Sequence, residues 1–302
     1  MAKFRIVTFD GGGIRGALTA SLVKRINDVF PNFIQKTDMF AGTSTGAFIA
    51  LGLASGLEPQ DLVDLYSVKN GRYIFNPRYC DLYRPKYNNR HLKKLLKDIF
   101  GTELRIKDLD RYVLVPSFRV KGYGSTLFWS PVVFNNFSGS GTTETTVIDV
   151  ALSSSAAPTY FPSYKECIDG GVIANNPSLA AISAATDRYL GGQNIEDIYL
   201  LSIGTGLNCY KINYHTAGWG KLHWLLCPSP PAPIITVIMD GVSDAYALFS
   251  HQMLGYRYKR LNPSLSKPIG LDDYNKIPVL VELAHNYDLG PTVAWLKNNW
   301  LD

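Results

Sequence analysis

Two glycine-framed turns near the start of the chain carry residue types suited to acyl transfer. Asp10-Gly11-Gly12-Gly13-Ile14-Arg15-Gly16 follows the apolar run Phe4, Ile6, Val7 and Phe9, and opens into a helical pattern. Gly42-Thr43-Ser44-Thr45-Gly46 follows residues 38–41 and opens into the apolar stretch Ala47 to Leu57. Each turn therefore joins a strand to a helix. Ser44 has glycine two residues before and two after it. A serine on so sharp a turn needs small neighbours, and the turn lifts its hydroxyl clear of the sheet. The positive end of the following helix favours charge on that oxygen. Gly11, Gly12 and Gly13 have no side chains, so their N–H groups can converge on an oxyanion, with the next helix N-terminus behind them. Arg15 can bind a phosphate or steady the loop. The bland alternative is a pair of tight turns without chemistry. A dinucleotide reading of Gly11-x-Gly13-x-x-Gly16 needs an acidic residue ending the second strand. That strand ends instead in Gly42-Thr43-Ser44.

A serine nucleophile needs a base. His91, His215, His223, His251 and His285 are the histidines. None stands at a strand-end turn with glycine support, and only His285 has late acidic company, at Asp288. Asp169 does stand at such a turn, Asp169-Gly170-Gly171. A carboxylate there can take the serine proton if burial raises its pKa toward neutrality. An Asp-Gly turn with no chemical role is the alternative.

These turns must be held by alternating strands and helices. Strand 4–9 leads to helix 15–30, where Leu18, Leu22, Ile26 and Val29 recur at helical spacing. Strand 38–42 leads to helix 45–56. Pro59 opens a further helix, and 89–100 is amphipathic with Gly101 as its stop. Residues 112–120 and 127–134 read as strands joined by the hairpin-like 121–125. Helices are expected at 147–155 and 178–190. The unalternating apolar run 197–203 reads as a buried strand of a parallel sheet. Residues 207–302 read as helical, with a Pro-rich interruption at 228–233 and a last helix near 292–300. The expectation is an α/β fold with a mainly parallel sheet, helices on both faces, and ligands at the carboxyl ends of the strands. One domain spanning 1–302 is expected.

The chain has 302 residues, 46% apolar and 18% charged, which suits a globular core and excludes a disordered or fibrous chain. No signal peptide and no run of about 18 apolar residues is seen, so no spanning helix is expected. Cys80, Cys167, Cys209 and Cys227 form no CxxC, and the histidines show no metal spacing. No metal or other cofactor is expected, and reduced thiols fit a cytoplasmic protein. The formal charge is +5, with eight Lys or Arg between Arg84 and Lys107 against Asp98 and Glu103. That segment reads as a solvated helix face or as an attraction to anionic lipid. No nucleic-acid motif accompanies it.

Taken together, the chain resembles the patatin-like phospholipases. Their oxyanion loop matches residues 10–16, their Gly-x-Ser-x-Gly turn matches 42–46, and their Asp-Gly-Gly block matches 169–171. Residues 151–162 and Ser202-Ile203-Gly204-Thr205-Gly206 also look like the family. The matching core runs over residues 4–206. The resemblance implies a three-layer α/β/α domain and calcium-independent hydrolysis of phospholipid acyl esters by a Ser–Asp dyad. Carried over by position, Ser44 is the nucleophile and Asp169 the base. Gly11, Gly12, Gly13 and Arg15 line the oxyanion site. The implied partner is a phospholipid membrane surface, with the enzyme cytoplasmic and peripheral at the inner membrane. Compact bacterial members serve as anti-phage effectors, so a second expectation is a hydrolase switched on by a cyclic nucleotide or by self-assembly into a homo-oligomer. A third is an esterase or thioesterase on soluble acyl substrates.

Overall fold

The structure is a computed structural model that describes residues 3–77, 83–122, 128–212, 215–227 and 233–300. Its centre is a seven-stranded sheet built from β1 (Phe4–Phe9), β2 (Met39–Gly42), β3 (Tyr112–Arg119), β4 (Ser130–Asn135), β5 (Cys167–Asp169), β6 (Ile198–Ile203) and β7 (Tyr258–Leu261). The order is β4-β3-β2-β1-β6-β7, and β5 pairs with β3. β1 pairs in parallel with β2 and β6, β2 with β3, and β6 with β7; β4 and β5 run antiparallel to β3. The mainly parallel sheet is thus as expected.

Apolar residues explain the layering. Ile6 and Val7 point to opposite faces of β1, and both are fully buried. One face packs against helices Gly16–Val29, Thr45–Ala54, Val147–Ser154 and Ile277–Asn286, with Leu18, Leu22, Ile49 and Leu280 in that core. The other face packs against Ser178–Thr186 and Pro233–Leu254 through Ile182, Leu200 and Leu254. The result is a three-layer α/β/α arrangement.

The sheet edge of β3 brings two distant segments end to end. β2 covers that edge at Tyr112 to Leu114 and then stops at Gly42. β5 takes the same edge at Ser117 to Arg119, running the opposite way, and stops at Asp169 opposite Ser117. The carboxyl ends of β2 and β5 therefore face each other across a short gap. The turns at 42–46 and 169–171 meet there.

Several boundaries differ from the sequence expectation. The C-terminal third, read as helical, contributes β7. That strand is four residues long with Lys259 and Arg260 in its middle, so it lacks an apolar run. The first helix begins as a 3-10 turn at Gly13–Arg15. The helix expected to reach 190 ends at Thr186, where the Asp187 backbone turns extended. A helix at Val68–Ile74 was not anticipated; Ser67 caps it by accepting from the Asn70 N–H. The hairpin tip at 123–127, the prolines at 228–231 and Cys80 lie outside the described residues.

At least half of the eight basic residues between Arg84 and Lys107 have a partner in the fold. Lys86 pairs with Asp272, Arg105 and Lys107 pair with Glu144, and Lys93 lies over the Tyr164 ring.

Candidate active site

Ser44 sits between β2 and helix Thr45–Ala54 with φ 55 and ψ −118. A non-glycine residue in this region is strained, and such strain is held only where the surroundings over-determine it. Here glycines make room. A side chain at Gly42 would run into the Gly46 carbonyl, and one at Gly46 into the Phe9 carbonyl. Thr43 is fixed from both sides, its N–H donating to Phe9 O at 3.1 Å and its hydroxyl to Ala174 O at 2.6 Å.

The Ser44 side chain lies beside the Asp169 carboxylate, close enough to favour its ionised form. Asp169 is buried, at 2% exposure, and its Oδ1 also accepts from the Gly171 N–H at 2.7 Å. Burial pushes the Asp169 carboxyl up to about 6, against the neighbouring Ser44 side chain and the Gly171 N–H, which favour the anion. A base with that pKa is ionised at neutral pH yet can still carry a proton during a reaction.

The glycine loop divides its N–H groups. Gly11 donates to Asn175 O at 2.9 Å. This corrects the expected trio, because the Gly11 amide is already engaged in holding the loop. The N–H groups of Gly12 and Gly13 have no hydrogen-bond partner among the described residues. Ser44's own N–H is also engaged, donating to Ser154 Oγ at 2.9 Å, and the Ser154 hydroxyl donates to Pro116 O at 2.7 Å. Among the described residues of these turns, Gly12, Gly13 and Thr45, the residue after Ser44, present amides with no partner. Gly13 has φ 59, and a side chain there would meet the Leu271 backbone.

Arg15 acts as a strut. It is buried, and its guanidinium donates to Gly12 O at 3.3 Å and Gly206 O at 3.1 Å. Of the two roles considered for it, steadying the loop is the one its contacts serve. Thr205 donates its hydroxyl to Gly11 O at 2.9 Å, so the 202–206 block braces the loop as well. Asp10 receives two hydrogen bonds from Arg260, at 2.8 and 2.5 Å, and Arg260 also reaches Ser202 Oγ at 2.7 Å. This ion pair locks the end of β1 to β7. The pairing spans most of the chain and had no signal in the sequence.

Ser44, Asp169, Gly12, Gly13 and Arg15 border one cavity of about 540 Å³. Its far wall is apolar, formed by residues such as Phe48, Leu65, Ile74, Phe75, Leu92 and Phe161. Such a cavity takes a hydrocarbon chain while a few polar groups at one end fix its head. Among the described residues no histidine lines it. His91 stacks on Tyr73 at 4.1 Å, and His285 is exposed on helix Ile277–Asn286. Nor do the described residues gather three His, Cys, Asp or Glu into a group able to hold a metal ion. Two residues were missed by sequence reasoning. Ser154 lay within a block already marked, but its role depends on where helix Val147–Ser154 meets the serine turn. Asn175 lies in Ile173-Ala174-Asn175-Asn176-Pro177 and lines the cavity.

Comparison with known proteins identifies the family. The chain is 32% identical to Protein teg of Priestia megaterium over 330 residues, covering 99% of this chain and all of that protein. It is 33% identical to the putative sporulation hydrolase CotR of Bacillus subtilis, covering 99% of each. A cGAMP-activated phospholipase of Escherichia coli is 32% identical over 70% of this chain and 64% of its own length. Residues 7–182 match the model of the patatin-like phospholipase family, so the chain belongs to that family.

Proposed function

We propose that the chain is a lipid acyl hydrolase of the phospholipase A type, working through a Ser44–Asp169 dyad. The observation that carries this reading is Ser44, set beside a buried Asp169 and bordering an apolar cavity next to the unengaged Gly12 and Gly13 amides. In acylation, Asp169 accepts the Ser44 proton as the oxygen attacks the ester carbonyl. The Gly12 and Gly13 N–H groups hold the tetrahedral oxyanion, each donor contributing ~3 kcal/mol. Asp169 then protonates the leaving alcohol, and the acyl group stays on Ser44. Water later releases it as a fatty acid. Arg15 serves this site by holding the loop. Residues 1–302 form one patatin-like unit in this reading, because β7 and the helices after it complete the sheet and its packing.

The lipid-surface part of the reading has its own support. Helix Pro233–Leu254 turns Thr236, Met239 and Asp240 into the cavity, while Val237 and Ile238 are about half exposed on the other side. Beside it, helix Lys221–Leu226 presents Leu222 at 72% exposure together with Leu225. No Asp or Glu occurs from 207 to 239, whereas Lys211, His215, Lys221 and His223 do. Exposed apolar side chains with cationic company suit an anionic lipid surface. No helix of the described residues is long and apolar enough to cross a membrane. The enzyme would then act peripherally, from the cytoplasm, at the inner membrane.

A second reading keeps the same dyad but gates it with a cyclic nucleotide or with self-assembly. Its support is the name of the E. coli relative, of whose length this chain matches 64%. Fatty-acid release from anionic phospholipid vesicles, with and without a panel of cyclic dinucleotides, separates the two. The expected result is release without ligand, and slower release when Leu222 and Leu225 are both changed to Glu. Release only with one ligand favours the gated reading. Turnover of a soluble ester with none from vesicles points to a soluble acyl substrate.

The pH dependence follows from Asp169. The base must be ionised, and its carboxyl sits at about 6. The expected kcat/KM on a soluble ester is flat above about pH 7 and falls about tenfold per unit below pH 6. A rate that keeps rising to pH 9 would assign the base elsewhere.

A further inference from the structure

We propose that the side-chain amide of Asn175 holds the water that releases the acyl group from Ser44. This rests on the serine–aspartate reading above and concerns its second half. Asn175 is 6% exposed and lines the cavity. Its main-chain carbonyl holds the Gly11 N–H, and its Nδ2 donates to Ser243 Oγ at 3.1 Å. The remaining polar atom, Oδ1, is buried with no hydrogen-bond partner. Buried acceptors in native proteins are nearly always met by a donor, so one left open beside reactive groups points to a ligand that donates.

The surroundings of Oδ1 identify that ligand. A side chain at Gly11 would run into Asn175 Oδ1 while lying 3.4 Å from Ser44 Cβ. A side chain at Gly171 would meet Met239 Cε at 2.8 Å and would lie 3.0 Å from Asp169 Oδ1 and 3.2 Å from Asn175 Oδ1. The amide oxygen, the carboxylate and the serine therefore lie close together around Gly11 and Gly171, at the wall of the cavity. An acceptor cannot stabilise an oxyanion. It can take one hydrogen of a water whose other hydrogen is held by Asp169. With both hydrogens anchored, a lone pair of that water is free to face the acyl carbon.

The step balances as follows. The water oxygen bonds to the carbonyl carbon of the Ser44 ester, and one of its protons passes to Asp169. The other stays hydrogen-bonded to Asn175 Oδ1, while Gly12 and Gly13 hold the oxyanion. Collapse breaks the bond from carbon to Ser44 Oγ. Asp169 returns its proton to that oxygen, leaving free serine and a fatty acid. Acylation needs no water, so Asn175 matters for release and not for the first step.

Pre-steady-state turnover of p-nitrophenyl octanoate tests this in the full chain. For Asn175→Leu we expect a burst of about one p-nitrophenol per site at a near-normal rate, then steady turnover ~100-fold slower than wild type. Intact-mass spectrometry should show an octanoyl adduct that Ser44→Ala lacks. The burst itself counts folded, reactive sites, so misfolding cannot imitate the result. Asn175→Asp keeps an acceptor and should recover much of the turnover, with the pH profile moved upward by the second carboxylate. If burst and turnover fall together, or neither changes, the assignment is overturned. If Ser44→Ala still turns over the ester, the dyad reading fails instead.

Discussion

Changing Asp169 to Asn is expected to lower acyl-ester turnover by ~10³-fold or more while raising the melting temperature at neutral pH. The two effects have one cause. Asp169 is buried, and its carboxyl is raised from 3.8 to about 6. A raised pKa means that the folded chain holds the proton more tightly than the unfolded chain does. The stability this gives is fully present below pH 3.8 and is lost as pH rises through about 6. At pH 7 the native state therefore carries an ionised carboxylate at a cost of about 3 kcal/mol relative to the protonated form. Asn cannot ionise, so it avoids that cost and keeps an oxygen for the Gly171 N–H. Ser44→Ala should lose as much activity. Its stability should fall at neutral pH, because the buried carboxylate loses the Ser44 side chain that favours its ionised form. Thermal melts of both variants between pH 5 and 8 check the pair. An Asp169→Asn gain that is as large at pH 5 as at pH 8 would assign the stabilisation to something other than the buried charge. Turnover retained in Asp169→Asn would remove Asp169 from the mechanism.

The sequence already held most of what makes the site recognisable, because its chemistry lies in short turns. A glycine two residues either side of Ser44 is a local requirement, visible without neighbours. Asp169-Gly170-Gly171 is likewise local. What brought the two together was not local. β2 and β5 share one edge of β3, and that arrangement exists only once the sheet is assembled. The same limit explains Gly11. Its lack of a side chain suggested an oxyanion donor, but whether an amide is available depends on Asn175 O, which belongs to another turn. Arg260 shows the limit most clearly. It sits in a strand too short and too charged to be read as one, yet it supplies both hydrogen bonds to Asp10. In the helical regions, apolar spacing was a good guide wherever a face was buried, as for Leu18, Leu22 and Ile26. It misjudged ends, such as Thr186, where a backbone turn overrides the pattern.

Gly46→Ala should be among the most damaging single substitutions in the chain, although it adds only one methyl group. The added carbon would meet the Phe9 carbonyl, with Asp10 O close behind at 2.7 Å. These are backbone atoms of β1 where it enters the glycine loop at 10–16, and Phe9 O already accepts from the Thr43 N–H. Nothing there can rotate away, so the turn or the strand must move. Overpacking of this kind costs about 3 kcal/mol, which corresponds to a fall in melting temperature of about 6 °C. The kinetic effect should be larger than the stability effect. Displacement of the turn moves Ser44 relative to both Asp169 and the Gly12–Gly13 amides, and an error of about 1 Å in such an alignment lowers rates ~10²-fold. The loss should appear in acylation, as a slower burst with p-nitrophenyl octanoate, whereas Asn175→Leu spares the burst. Gly56→Ala is the control. A side chain at Gly56 meets nothing within 4 Å, although its φ of +88 carries strain. It should destabilise the fold modestly and leave the burst rate of the folded fraction unchanged. Equal burst rates for Gly46→Ala and wild type would show that the serine turn tolerates displacement, and the close fit of β1 against it would then carry no catalytic weight.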